Sequence, residues 1–385
     1  MSEGSALLVR GGRVLGADGW RGDCDVRVEA GLVAGVGRGL AVGDGAAIDA
    51  RECLVAPGFV DLHVHGAGGA MFEDGDRDGV RRIRATLAAH GTTAALATVA
   101  ALPPDGLRRA VACIAAAIGE SVGARLLGIH LEGPFLNPRR GGAQRPDWMR
   151  DPSIDELEAL QAAAGGHIRL LTVAPELPGA LELIRHARRR GIVVALGHSE
   201  ASAAQVEAAV SAGATQVTHC FNAMAPFHHR DVGLAGVALL DDRLRVELIA
   251  DGAHVEARAL ALALRCKPSG GWILVSDGVA AVGQGPGPLQ LFGTACLAGD
   301  AVRQADGGRL AGSCIALADA VRNLHAWMPD QPLAAILQAA SSLPATAVGC
   351  GDRCGTLAHG RAADLVVLDH ALGVRAVLVG GRGRG

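Results

Sequence analysis

The chain has 385 residues, with 39 acidic against 36 basic side chains and a formal net charge of −3. That length suits one large domain or two ordinary ones, and so balanced a charge excludes the basic excess that nucleic acid or an anionic membrane surface selects. Hydrophobic residues make up 50% and charged residues 19%, which favours a sizeable core over disorder. Tyr is absent, and Lys267 is the single lysine. The nine cysteines include no CxxC pair, and Arg10 interrupts the start before any apolar leader can form, so reduced thiols and a cytoplasmic location are expected. No run approaches the roughly 18 apolar residues of a membrane helix.

In chain order, three zones follow. Residues 1–55 alternate short apolar runs (Ala6–Val9, Val26–Val28, Leu32–Val36) with Gly and Asp turns, the pattern of short antiparallel strands. From 56 to 352 the rhythm changes to apolar runs alternating with helical stretches. Eight strands are expected, at 58–64, 92–99, 125–131, 168–174, 192–197, 215–220, 245–250 and 272–276. Helices are expected between them, for example over Asp155–Ala164 and Ala201–Ala212, the latter capped by Ser199 or Ser202. Eight such units fit a (β/α)8 barrel. The segment Gly283–Gly293, rich in Gly and Pro, reads as a loop or hairpin and a candidate lid. From 353 to 385 strands return at Ala363–Asp369 and Val374–Val379, so the two terminal zones are expected to pair into one small β-sandwich domain with the barrel inserted.

In a barrel of this kind, chemistry gathers at the C-terminal ends of the strands. The first strand ends with His63 and His65, two residues apart and so on one face. The third ends with His130 and Glu132, the fifth with His198, the sixth with His219 and the eighth with Asp277. Imidazoles and carboxylates at five strand ends point to a transition-metal site. His130 lies one layer below Glu132 and reads as a core residue. Cys220 points away from the face of His219 and reads the same way. Arg188–Arg190 end a helix, where positive charge suits the dipole.

The runs Ala56-Pro-Gly-Phe-Val-Asp-Leu-His-Val-His-Gly66 and Gly355-Thr-Leu-Ala-His-Gly-Arg-Ala-Ala-Asp-Leu-Val-Val-Leu-Asp369 resemble the opening and closing motifs of the amidohydrolase superfamily. Within it, His130-Leu-Glu-Gly-Pro-Phe-Leu-Asn-Pro138, Leu196-Gly-His-Ser199, Thr218-His-Cys-Phe-Asn-Ala-Met224, Ala250-Asp-Gly-Ala-His-Val255 and Leu274-Val-Ser-Asp277 resemble the N-acetylglucosamine-6-phosphate deacetylases. The resemblance implies that Glu132, His198 and His219 hold a divalent metal, with zinc expected and iron or another divalent ion as the alternative. It implies that His63 and His65 can hold a second ion, giving one or two per subunit. Asp277 is implied as the catalytic base and acid. The sugar phosphate is implied to contact Ala143, Gln144, Asn222, Ala223, Arg230, His254, Leu310, Ala311 and Gly312. Family members are usually homodimers in which some phosphate contacts cross the interface.

Two departures bear on this reading. Where the family usually has His, this chain has Gln144, which cannot carry a proton or charge as His can. Lys267 sits in a loop-like Arg-Cys-Lys-Pro segment before the eighth strand, badly placed to become the carboxylated lysine that bridges two metals in other amidohydrolases. Glu132 is therefore expected to be the anchoring carboxylate. The implied reaction is removal of acetate from N-acetylglucosamine 6-phosphate. Another N-acyl amino sugar (the galactosamine epimer, or an unphosphorylated sugar) and a catalytically idle barrel acting as a binding subunit are the alternatives.

Overall fold

Eight buried runs form one parallel sheet: Phe59–Val64, Thr92–Ala100, Arg125–Glu132, Ile168–Val173, Val193–Leu196, Gln216–Val217, Arg245–Ile249 and Trp272–Val275, each paired with the next. The computed structural model describes residues 6–41, 45–306 and 308–384; residues 1–5, 42–44, 307 and 385 of the expected spans lie outside it. The sheet closes where the first and eighth strands end. His65 and Gly66 donate their N–H groups to the Gly278 carbonyl at 2.8 and 2.9 Å, and Asp277 N–H donates to the His63 carbonyl at 2.9 Å. Backbone of the expected site thus completes the barrel. All eight expected strands are present. The sixth is much shorter than 215–220, because the backbone bends from Thr218 and enters a left-handed conformation at His219 (φ 28°).

Strands that face helices on one side and the barrel interior on the other must be apolar almost throughout. Accordingly all nine residues of Thr92–Ala100 are buried. Val60, Leu62, Leu96, Leu127, Leu170, Ala195, Ile249 and Ile273 come from seven of the strands and form one buried cluster, joined by Val348, Cys350 and Cys354. A larger cluster lies between the strands and the surrounding helices. The helix Ala180–Arg189 is representative: Leu183, Ile184 and Ala187 face inward, and Arg188 and Arg189 occupy the last turn, as the dipole favours. Helices Ile154–Ala163 and Ala203–Ala212 match expectation. Ser202 is the N-cap of the second, its N–H bonded to Gln205 Oε1 at 3.0 Å, whereas Ser199 Oγ instead donates to Glu176 Oε2 at 2.7 Å.

Lys267 follows the helix Ala257–Cys266 and is buried, with Nζ donating to the carbonyls of Ala238 (3.0 Å) and Asp241 (2.8 Å). It thereby caps the C-terminal end of the helix Gly233–Leu240. Burial lowers its ammonium below the ordinary lysine range. It precedes the eighth strand, Trp272–Val275, whose other end leads into Asp277.

The terminal segments form a second sheet. Leu54–Pro57 pairs antiparallel with Leu365–Leu368 and parallel with Leu7–Gly16, which continues to Gly19–Glu29 and Leu32–Gly37. On the other side Val374–Val379 and Arg382–Arg384 extend it. Val9, Val14, Val26, Val55, Leu365 and Val367 give it a core of its own. The expected lid segment Gly283–Gly293 holds the first strand and first turn of a three-stranded meander, Gly287–Leu291, Thr294–Ala298 and Val302–Gln304. Its first turn is Phe292-Gly293 at φ 51° and 76°, the left-handed pair a two-residue hairpin favours. Leu291, Cys296 and Val302 bury against Met71, Val279 and Ala311. All nine cysteines are free thiols. Among the described residues no helix is long and apolar enough to cross a membrane.

Candidate metal centre and active site

The strand ends bring their side chains to one buried cluster. Glu132 Oε1 lies 3.0 Å from His198 Nε2 and 2.9 Å from His219 Nε2, and these two nitrogens are 3.1 Å apart. His63 Nε2 is 3.3 Å from Glu132 Oε1, 3.3 Å from His65 Nε2 and 3.4 Å from Asp277 Oδ1. His65 Nε2 is 3.3 Å from Glu132 Oε2 and 3.6 Å from Asp277 Oδ1. Four imidazoles and two carboxylates therefore converge on one point at the barrel mouth.

Local backbone produces this convergence. His198 (φ 49°), His219 (φ 28°) and Asp277 (φ 49°) are all left-handed, a conformation uncommon outside glycine and costing on the order of 1–3 kcal/mol at each residue. Each strand stops abruptly there and turns its last side chain across the mouth. Hydrogen bonds hold the turns: Asp277 O accepts from Ser313 N–H at 2.8 Å, and His219 N–H donates to Glu247 Oε2 at 3.2 Å.

A second layer orients the rings. Nδ1 of His63 faces Glu247 Oε2 (3.1 Å), Nδ1 of His65 faces Glu73 Oε1 (2.6 Å), and Nδ1 of His198 faces the Arg140 carbonyl (2.8 Å). An outer acceptor that receives the Nδ1–H hydrogen bond leaves the Nε2 lone pair turned inward, the arrangement found behind metal-bound histidines. Gln216 Nε2 in turn holds Glu247 Oε1 at 2.6 Å. Burial alone would lower both first-strand imidazoles. The carboxylates of Glu132, Glu247 and Asp277 outweigh it and raise His63 well above its ordinary value, while Glu73 and Glu132 raise His65 to about 10. Burial would raise Glu132, but His63, His198 and His219 hold it well below the usual carboxylate range. This is an environment that concentrates positive charge between its acids, and a divalent ion fits it. Two donor sets, His63/Glu132/His219 and His63/His65/Asp277, each bring their ligating atoms within 4.8 Å. Together with the Glu132/His198/His219 contacts they offer room for one ion or two.

Beneath the cluster, His130 is fully buried, its Nε2 2.8 Å from Thr172 Oγ1 and its Nδ1 3.3 Å from Thr98 Oγ1. Burial and the neighbouring His63 lower it well below the ordinary value, so it is a neutral core imidazole, packed edge-on against His63 at 4.8 Å. Cys220 is likewise core, its thiol pushed up to about 12 by burial.

A cavity opens above the cluster. Ala143, Gln144, Asn222, Ala223, His254, Leu310 and Gly312 line it together with His65, Glu132, His198, His219 and Asp277. Ala311 is fully buried behind that wall. Arg230 is not in the lining; it is exposed on the Ala225–Asp231 loop, its Nη1 2.8 Å from His229 Nε2. His254 is fixed by Asp251, whose Oδ2 lies 2.6 Å from its Nδ1. Burial opposes the proton, but the Asp251 bond and the Asp277 charge prevail and raise the imidazole above its ordinary value. Among the described residues no Arg or Lys lines the cavity; His254, its proton favoured by Asp251, does.

Sequence reasoning missed Glu73, Glu247 and Phe292. Phe292, at the meander tip, lines the cavity and meets His65 edge-on at 5.4 Å. For Glu247 a signal existed, a carboxylate inside the buried strand Arg245–Ile249. Glu73 and Phe292 lie in connecting segments with no distinguishing spacing.

Comparison with known proteins agrees with this geometry. The family model described as "Amidohydrolase family" matches residues 54–382. The N-acetylglucosamine-6-phosphate deacetylase of Vibrio furnissii is 34% identical over 383 residues, covering 99% of this chain and 96% of its own. The N-acetylgalactosamine-6-phosphate deacetylase of Escherichia coli O157:H7 is 35% identical over 378 residues, covering 97% and 98%. Among solved structures, a variant N-acetyl-D-glucosamine-6-phosphate deacetylase from Mycobacterium smegmatis, in complex with N-acetyl-D-glucosamine-6-phosphate, superposes with a TM-score of 0.92 at 34% identity, covering 99% of both chains. A barrel closed through its own metal-type ligands, with these relatives along its whole length, makes the chain a member of the amidohydrolase family, in its N-acetylglucosamine-6-phosphate deacetylase branch.

Proposed function

We propose that the protein hydrolyses the acetamide of N-acetylglucosamine 6-phosphate, giving glucosamine 6-phosphate and acetate. The observation that carries this reading is the convergence of His63, His65, Glu132, His198, His219 and Asp277 at the floor of a cavity at the barrel mouth. Relatives of equal similarity bearing the deacetylase name support it.

An amide is a poor electrophile and water a poor nucleophile at neutral pH. A divalent ion held by Glu132, His198 and His219, with His63 and His65 available to a second, would supply Lewis-acid activation, bringing the pKa of water from about 15.7 to about 7. Zinc suits these borderline ligands, and iron is the alternative. The rest falls to the chain's own groups. Asp277 faces both first-strand imidazoles and takes the proton of the attacking water. It then returns that proton to the sugar nitrogen, so that the C–N bond breaks to a neutral amine. The 6-phosphate needs cations. His254, with its proton favoured by Asp251, supplies one from within the cavity. Arg230, exposed and outside the lining, would act in a homodimer by reaching across the interface. The free thiols fit a cytoplasmic enzyme.

The galactosamine epimer is the second reading, favoured by the equally similar E. coli relative that carries that name. An acetate-release assay over N-acetylglucosamine and N-acetylgalactosamine, each with and without 6-phosphate, decides between them. The proposal expects the highest kcat/KM for N-acetylglucosamine 6-phosphate. Preference for the galactosamine phosphate would transfer the function to that epimer, and no turnover of any of the four sugars would refute it.

A further inference from the structure

The second barrel strand contributes no metal-type side chain, yet its C-terminal end touches the supports of two candidate ligands. Ala100 N–H donates to Glu73 Oε1 at 2.9 Å, and the same oxygen lies 2.6 Å from His65 Nδ1. The next amide, Ala101 N–H, donates to Gln144 Oε1 at 2.8 Å, and Gln144 Nε2 donates to Glu132 Oε2 at 2.6 Å. Two consecutive backbone donors therefore reach, each through one side chain, a ligand on the first strand and a ligand on the third.

This fixes the Gln144 amide in both senses. Its oxygen must face the Ala101 donor, and its nitrogen must face the carboxylate, because a carboxylate can only accept. Glu132 presents Oε1 to His63, His198 and His219, while Oε2 accepts from the amide and faces His65, so the two oxygens are distinguished before any ion arrives. Gln144 is buried, so both bonds form with little competition from water. These two bonds use one N–H and one oxygen lone pair of the amide, so its orientation is set by the protein whether or not a sugar is bound.

We propose that Gln144 is a positioning residue of the metal centre: suspended from the Ala101 amide, it sets the orientation of the Glu132 carboxylate, as Glu73 suspended from Ala100 sets the ring of His65. The inference rests on the metal-centre part of the functional reading but not on the identity of the sugar.

Gln144→Met keeps the volume and removes both bonds; Gln144→Asn keeps the amide but is too short to span both partners. Zinc affinity is measured without sugar, by competition with a chromophoric chelator, on wild type and both variants, after circular dichroism has verified folding. Loss of a second-layer support typically weakens metal binding by about 10–100-fold, and that loss is expected for Gln144→Met, with a smaller one for Gln144→Asn. At saturating zinc, kcat of both variants should recover with KM for the sugar phosphate near that of wild type. Zinc affinities within about twofold of wild type, with KM alone raised, would overturn the proposal and make Gln144 a sugar contact. If Gln144→Met does not fold, Gln144→Asn gives the same decision. If the wild type itself binds no zinc, the metal-centre reading fails rather than this one.

Discussion

The proton transfer proposed for Asp277 would have little support from other side chains: its carboxyl lies 3.4 Å from His63 Nε2 and 3.6 Å from His65 Nε2, and its backbone is pinned on both sides by His63 and Ser313. Asp277→Asn retains the shape and removes the proton acceptor. Turnover should fall by at least about a hundredfold while zinc content stays that of wild type, read by acetate release beside metal analysis. Near-normal release would remove Asp277 from the proton path. Arg230 invites a different measurement. Because it is exposed, Arg230→Ala should leave the fold intact, and the proposed reach across a homodimer interface predicts that it raises KM for the phosphorylated sugar far more than for the dephosphorylated one. Equal effects on both would show that it does not meet the phosphate. At this scale the convergence of the candidate ligands was legible, because imidazoles and carboxylates at the ends of apolar strands have few other uses. Their supports were not. Glu73 and Gln144 act through backbone amides 27 and 43 residues away in sequence, a pairing that no local pattern encodes.

Among the elements, the eighth strand and the turn Leu310–Ser313 act as a unit. Gly312 adopts φ 79°, and a Cβ there would lie 2.3 Å from Val279 Cγ1 and 3.1 Å from the Asp277 carbonyl. Gly312→Ala therefore pushes directly on the loop that carries Asp277. Destabilisation of about 1–3 kcal/mol is expected, with kcat reduced more than zinc affinity; thermal unfolding and zinc titration test the two parts separately. A variant with wild-type kcat would show that this turn does not set the Asp277 loop. The strands were readable from sequence because buried apolar runs end at Gly or at polar residues. The sixth strand was overestimated because Thr218, His219 and Cys220 continue an apolar-looking run through a backbone reversal that composition does not reveal. The Gly- and Pro-rich segment gave a hairpin but not its occupant of the cavity, Phe292, since which side chain sits at a turn tip depends on register.

The whole molecule is a closed barrel held beside a sheet made from both ends of the chain. The count of apolar runs was enough to anticipate the barrel, and the return of strand rhythm near the C-terminus was enough to anticipate the pairing of the termini. What closes the barrel was not anticipated. The seam between its first and last strands is formed by backbone of His63, His65, Gly66, Asp277 and Gly278, so the bonds that close the barrel also place candidate site residues.

The one lysine has a practical consequence at this scale. Its ammonium is enclosed between two carbonyls at a helix end, so an amine-directed acylating reagent has no exposed lysine side chain to attack on the folded protein. Acylation of Lys267 should therefore proceed at the rate at which the helices Gly233–Leu240 and Ala257–Cys266 come apart. Peptide mapping after timed exposure would then report local opening from a single position, without an introduced probe. Rapid acylation under native conditions would show that this packing opens readily.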